Sequence, residues 1–222
     1  MIFLDDIWVA SSEKKKRGEF MLRGVTCKVE DNEHFVILAP HSPSRASLLR
    51  LFCGEIAADR GRVVQEGTVS WPLNWVQVSK PNMTGYENIA FMCRVHNVNT
   101  RDAVEFVRYY SGLGDMLGTL FSRWPPECKL RFSYITALAM PFDHYIFVDK
   151  LAIPDIGKRF KARDFQLLES RKQGASFIVV SAFPGMVKAT FETDMMVLYE
   201  GELNDFDVPE DAMKYYFSVY PR

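Results

Sequence analysis

Apolar and polar positions alternate along the chain in two periods, and together they predict short strands taking turns with helices. Ile2 to Val9 and Met21 to Val29 read as the two strands of a hairpin. Phe35 to Ala39 is a continuous apolar run, short and β-branched enough for a buried strand. After a turn from Ala39 to Ser44 that contains two prolines, Leu48, Leu49, Leu51 and Phe52 fall on one face of a helix. Arg62 to Gln65 and Thr68 to Trp71 are short strand candidates around the Glu66-Gly67 turn. Thr84 with Glu87 three residues on has capping-box spacing, and the helix it opens runs through Ile89, Phe91, Met92 and Val95. Thr100 to Tyr110 predicts a second helix, Leu113 to Arg123 is turn-rich, and Glu127 to Met140 continues as a helix with Pro126 in its first turn. Buried strands are expected at Tyr145 to Val148 and Phe177 to Ser181, with an amphipathic helix at Phe160 to Arg171 between them. A short helix from Pro184, a strand at Met195 to Tyr199 and a terminal helix from Glu210 complete the pattern.

Strands alternating with helices imply an α/β fold with a mainly parallel sheet covered on both faces and an antiparallel N-terminal edge. Residues 80 to 138 are mainly helical and interrupt the alternation as an inserted subdomain would. We expect one domain over 1–222, with core segments 1–79 and 139–222. At 222 residues the chain can bury a sizeable core, and 48% hydrophobic with 25% charged residues is a globular composition. A net charge of −1 gives no case for nucleic acid. The one basic run, Lys14-Lys15-Lys16-Arg17, reads as a solvated hairpin loop or as a contact with anionic headgroups. Cys27, Cys53, Cys93 and Cys128 lie too far apart for a metal site and fit reduced thiols. The start, MIFLDDIWVA, lacks the n- and h-regions of a signal peptide, and no apolar run approaches the ~20 residues of a membrane helix.

Candidate chemistry concentrates where the Phe35–Ala39 strand turns into its helix. Helix-start N–H groups point outward at such a turn, which is how a phosphate-binding loop works. The working loop reads G-x-x-x-x-G-K-[ST]. Here Ala39, Pro40, His41, Ser42, Pro43, Ser44, Arg45, Ala46 and Ser47 span it, with Ala39 and Ser44 at the glycines, Arg45 at the lysine and Ala46 at the hydroxyl residue. Glycines let the backbone wrap phosphate oxygens, lysine offers a compact charge, and the hydroxyl binds Mg²⁺. Alone, the stretch reads equally as an ordinary strand–helix turn. Arg45 either binds an anion or pairs with a nearby carboxylate and closes the pocket. His34, His41, His96 and His144 have no mutual spacing for a metal, and surface or loop positions are expected for them. Ser181 has no partnered histidine and no nucleophile elbow.

Several ungapped segments in one order resemble an ABC transporter ATPase, in particular the subfamily that energises export of capsular and related surface polysaccharides. Trp71-Pro72-Leu73 and TGYENIAFMCRVHN resemble its WPLG and TGRENVRFVARIYG segments. SRASLLRLFCGEIAADRGRV resembles the GKSTLLRLLAGELPPDSGRV type, FDHYIFVDKLAIPD resembles FDCYLIDEVTAVGD, and MMVLYEGEL matches the late strand and turn. The resemblance covers nearly the whole chain and implies a P-loop NTPase fold, with a RecA-like core and a helical subdomain.

The resemblance also implies where nucleotide contacts should lie, and the sequence departs there. Lys80 stands at the coupling-loop position that normally carries a polar ligand. The signature segment, YSSGM in the subfamily, reads Trp124-Pro125-Pro126-Glu127-Cys128. Its prolines remove backbone donors, and Glu127 adds negative charge. Without a gap, Val148 falls at the magnesium-side aspartate and Asp149 at the catalytic glutamate. Shifted by one, Asp149 takes the aspartate's place and Lys150 the glutamate's. Ala182 stands at the switch histidine, and Asp155 matches the aspartate of the VGD turn. Trp71, Trp75, Tyr86 and Phe91 either line the groove that receives the membrane partner or are plain core.

These departures imply a catalytically degenerate ABC-ATPase-like subunit that binds a polysaccharide-export permease, as a homodimer or as a heterodimer with an active ATPase. It would sit in the cytoplasm, on the inner face of the membrane through that partner. No confident catalytic residue, metal or cofactor follows; ATP and Mg²⁺ enter only if the atypical site binds them. The alternatives are a functional ATP-binding subunit using Arg45 and Asp149, and a regulator that senses a phosphorylated ligand.

Overall fold

The computed structural model describes residues 1–11, 19–149, 152–154, 161–184 and 195–221. The basic run Lys14 to Arg17, Lys150, Asp155 and all but the first residue of the helix expected from Pro184 lie outside the described residues. Two compact units make up the chain: Met1–Pro72, Asp143–Leu151 and Ala175–Arg222 form one, and Leu73–Phe142 with Ala152–Gly174 the other.

The first unit holds two sheets. Strands β1 (Ile2–Ala10), β2 (Phe20–Val29) and β4 (Arg60–Gln65) make an antiparallel sheet in the order β2-β1-β4. Within β1 the buried apolar positions are Ile2 and Leu4, then Ile7 and Val9, so the inward parity flips part-way along. A bulge absorbs the flip. Asp5 and Asp6 are both exposed, Asp6 takes a positive φ of 48°, and the register slips between Leu4 and Ile7.

The second sheet runs β5-β6-β3-β7-β8. Strands β3 (His34–Leu38), β5 (His144–Val148), β6 (Ser176–Ser181) and β7 (Met195–Tyr199) are parallel, and β8 (Glu202–Phe206) is antiparallel to β7. Every residue of β5 and β6 is buried, as expected of parallel strands covered on both faces. In register, Leu38 lies opposite Ser181 and Val148 opposite Val180. The C-terminal ends of β5, β6 and β3 therefore stand side by side, where α/β sheets place their ligand sites. Helix α1 (Pro43–Phe52) follows β3 and buries Leu48, Leu49, Leu51 and Phe52 on the core.

Two expectations need correction here. Thr68 to Trp71 forms no strand, only a bridge from Val69 to His144. Asp143 takes over the local bonding by accepting from the Thr68 amide and hydroxyl at 2.6 and 2.9 Å. His144 is not on the surface but fully buried at the start of β5. Its Nε2 lies 3.2 Å from the Glu66 carbonyl oxygen, and burial, before any charge effect, holds its pKa below the ordinary range.

The second unit is helical. Helix α2 (Gly85–His96) opens with both halves of the capping box: the Glu87 amide donates to Thr84 Oγ1 at 3.2 Å, and Glu87 Oε2 accepts from the Thr84 amide at 2.7 Å. Helix α3 (Thr100–Ser111) is capped by Asn99 and ends on Gly112 at φ 68°, a left-handed turn that suits glycine. Short 3₁₀ turns at Gly114–Gly118 and Phe121–Arg123 occupy the turn-rich stretch, and α4 (Pro126–Ala139) and α5 (Lys161–Lys172) follow. Arg131 on α4 is fully buried. Its guanidinium donates to both oxygens of Asp164 at 2.8 Å and to the carbonyls of Tyr110, Ser111 and Pro154 at 2.7, 2.7 and 2.9 Å. Among the described residues no helix is long and apolar enough to cross a membrane.

Candidate functional site

The turn after β3 enters helix α1 through Ser42. Its extended backbone makes it the N-cap, and its hydroxyl accepts from the Arg45 amide at 3.1 Å. Pro43 at the helix start brings no N–H, and the Ala46 amide already donates to the Ser42 carbonyl. The donors that a helix start would present to phosphate oxygens are thus largely removed or spent. Ala39, fully buried, donates its amide to the Ser181 carbonyl at 2.8 Å. Ala46 is exposed and carries no oxygen for a metal.

Arg45 points inward. It is 3% exposed, and its Nη2 donates to Asp149 Oδ1 at 2.7 Å and to the Val180 carbonyl at 3.3 Å. Its Nη1 donates to the Ala39 carbonyl at 3.4 Å and lies 3.3 Å from His41 Nδ1. Of the two sequence readings of Arg45, pairing with a carboxylate is the one that matches this geometry.

Asp149 follows the last residue of β5, with φ at +66°. That left-handed conformation costs a non-glycine residue ~1 kcal/mol or more, and four hydrogen bonds hold it. Its amide donates to the Val180 carbonyl at 2.9 Å and its carbonyl accepts from Ser181 Oγ at 2.9 Å. Its Oδ1 also accepts from the Ala182 amide at 3.2 Å, besides Arg45. Arg45, Asp149 and Ala182, the positions at which the sequence resemblance expects nucleotide contacts, therefore meet on one another. Two further members join this cluster in roles the sequence reading did not give them. One is Ser181, whose hydroxyl ties Asp149 to the Phe183 amide; the other is Tyr216, on helix α6 (Pro209–Val219), whose hydroxyl donates to the Ala182 carbonyl at 3.1 Å. Nothing in the sequence around Tyr216 distinguishes it from its aromatic neighbours.

The remaining candidates lie in the helical unit, apart from Trp71. Lys80 has an exposed side chain on a backbone clamped by Asn88: the Lys80 amide donates to Asn88 Oδ1 at 2.7 Å, and Asn88 Nδ2 donates back to the Lys80 carbonyl at 3.1 Å. In the signature-like segment Trp124 is 4% exposed. Its ring packs against Phe121 and Phe132, and its indole N–H donates to Thr119 Oγ1 at 2.9 Å. Pro125, Pro126 and Glu127 are exposed and Cys128 half-buried. Trp71, Trp75, Tyr86 and Phe91 are each half-buried. No group of three or more metal-type ligands occurs among the described residues.

The comparisons agree with this architecture. The structure aligns with a dimeric ATP-binding cassette in a post-hydrolysis state with ADP and Pi, at a TM-score of 0.74 and 14% identity, over 93% of this chain and 98% of that one. It aligns equally with an ATP-binding subunit of an ABC transporter, at a TM-score of 0.75 and 11% identity over 100% and 95% of the two chains. In sequence it is 29% identical to the capsule polysaccharide export ATP-binding protein CtrD of Neisseria meningitidis serogroup B, over 90% of this chain and 91% of CtrD. The chain resembles the ABC ATPases of capsular polysaccharide export. The ATP-binding protein BexA of Haemophilus influenzae is 27% identical over 88% and 89% of the two chains. The polysialic acid transport ATP-binding protein KpsT of Escherichia coli is 24% identical over 73% and 72%. No protein-family model matches the chain. Within this ABC-ATPase-like fold, the cluster of Arg45, Asp149, Ala182 and Tyr216 lies at the ends of β5, β6 and β3.

Proposed function

We propose that this chain is a catalytically degenerate ABC-ATPase-like subunit of a capsule-type polysaccharide exporter. It acts by binding a permease, an active ATPase or both, at the inner face of the cytoplasmic membrane. The observation that carries the reading is the use of Arg45. The cation at the phosphate loop's lysine position is buried and neutralised by Asp149, the carboxylate at or beside the catalytic position.

The residues present do not fit Mg²⁺ and ATP. The cation is spent on Asp149, Pro43 and the Ser42 cap leave few free amides, and Ala46 offers no oxygen. Phosphoryl transfer depends on positioned charge, so a site with its charges paired internally has no evident route to it. The relatives named above support the exporter assignment, and the intact scaffold supports a role in binding.

Two measurements on the full chain test the reading. Purified protein should show no saturable Mg-ATP binding by calorimetry and no phosphate release above background. A Mg²⁺-dependent ATPase that Asp149→Asn abolishes would overturn the degenerate reading in favour of an atypical but functional site. Affinity purification from the host's own solubilised membranes should recover a permease, alone or with an active ATPase. Recovery without either partner would remove the subunit role.

A further inference from the structure

Helix α6 reaches the ends of the central strands through Tyr216, which is 6% exposed. Its hydroxyl donates to the carbonyl of Ala182, and the amide of that same residue donates to Asp149 Oδ1. That one carboxylate oxygen also receives Arg45 Nη2, whose guanidinium in turn holds the Ala39 carbonyl of the loop. Ala182 thus has both backbone groups engaged, one by the terminal helix and one by the ion pair. Burial raises the pKa of Tyr216, with Asp149 pushing it up and Arg45 down, as expected of a phenol within the field of the pair.

The chain of contacts has one replaceable link. Arg45 needs Asp149 because a buried guanidinium without a counter-charge is costly, and Asp149 needs its bonds to hold a positive φ. The Tyr216–Ala182 bond is neutral and joins elements far apart in sequence, so it can open without leaving a buried charge.

We propose that Tyr216, Ala182, Asp149 and Arg45 form a latch coupling helix α6 to the loop Ala39 to Ser47. With α6 in place, the Ala182 amide is held on Asp149 and the guanidinium stays closed on the loop. Displacing α6 loosens Asp149 and releases the loop and the Arg45 cation together. The inference rests on contacts within one unit and is tested without nucleotide, so its failure is separate from that of the proposed function.

Tyr216→Phe keeps the ring and removes the hydroxyl. Hydrogen exchange in the full-length protein should then speed up at amides of residues 39–47 by about fivefold, the amount one neutral hydrogen bond supplies. Amides of β1, β2 and β4 should be unchanged. In an Arg45→Met background, Tyr216→Phe should have no further effect on residues 39–47. If Arg45→Met does not fold, Arg45→Lys, which keeps the charge without the fork, takes its place. Unchanged exchange in the loop, or the same acceleration with the Arg45 variant present, overturns the latch.

Discussion

Replacing Arg131 by methionine removes the most heavily bonded charge among the described residues of the helical unit. The guanidinium is fully buried and bidentate on Asp164, which is itself 7% exposed. Removing one member of a buried pair costs about 3–5 kcal/mol, because the other charge is left without a partner. The carbonyls of Tyr110, Ser111 and Pro154 lose their donor as well, each a further fraction of about 1 kcal/mol where water can reach it. A total near 5 kcal/mol, at about 2–4 °C per kcal/mol for a chain this long, predicts a fall in Tm of roughly 10–20 °C. Thermal melts by far-UV circular dichroism measure it. Adding Asp164→Leu should restore most of the loss, since an apolar pair of similar volume often replaces a buried ion pair at no cost. A single-variant loss below about 1 kcal/mol, or a double variant no better than Arg131→Met, would refute the reasoning.

The other predictions concern packing and protons. Gly85→Ala would bring a Cβ within 2.7 Å of the Trp124 ring and 3.0 Å of Leu117 Cα. It should cost about 1–3 kcal/mol, read as a lower urea midpoint at unchanged slope. Burial first, with Asp205 and Glu55 adding to it, pushes the thiols of Cys27 and Cys53 up to about 12. Both should resist iodoacetamide at pH 8 until the chain is unfolded, as peptide mapping would show. Because those thiols keep their protons in the fold after the unfolded chain has released its own, stability should fall as pH rises from about 9 towards 12. Cys27→Ala with Cys53→Ala should flatten that alkaline limb. Hydrogen bonds from the Thr84 backbone, then from its hydroxyl, hold the Glu87 carboxyl below the usual carboxylate range. That contribution is present above the ordinary pKa and lost as pH falls through the folded one, so Thr84→Ala should weaken the acid dependence seen in denaturant titrations.

What the sequence makes legible is what depends on near neighbours. The buried strands follow from β-branched runs, and α2 begins at Gly85 because Thr84 and Glu87 are a reciprocal pair three residues apart. The bulge of β1 was not legible: Phe3 and Trp8 are apolar as well, so the flip of inward parity from Ile2 and Leu4 to Ile7 and Val9 shows only in the burial. The Thr68 to Trp71 strand fails for the complementary reason. A propensity over four residues cannot reveal that Asp143, 75 positions away, takes Thr68's hydrogen bonds. Trp124 shows the limit of reading by position in a motif: it stands where a ligand-binding segment is expected, yet its ring fills the space over Gly85.

The candidate site obeys the same division, and there the long-range part changes the meaning of the short-range part. Taken singly, Ala39, Pro43, Arg45, Ala46 and Ala182 each subtract something from a phosphate loop. Taken with the geometry, they form a closed set. Ser42 and Pro43 settle the helix start, and the Ala39 carbonyl receives the guanidinium. A fork is needed to reach Asp149 and Val180 from one nitrogen and Ala39 from the other, which a lysine ammonium at the same position could not do in that plane. Asp149 Oδ1 then serves the Ala182 amide as well as the arginine. A residual binding site stripped of its ligand would leave such groups unpaired in a buried place, at about 1–3 kcal/mol each. Here Arg45, Asp149 and the Ala182 backbone pair with one another. The strand ends are held together by side chains of the unit itself, so the packing at this place depends on no bound group.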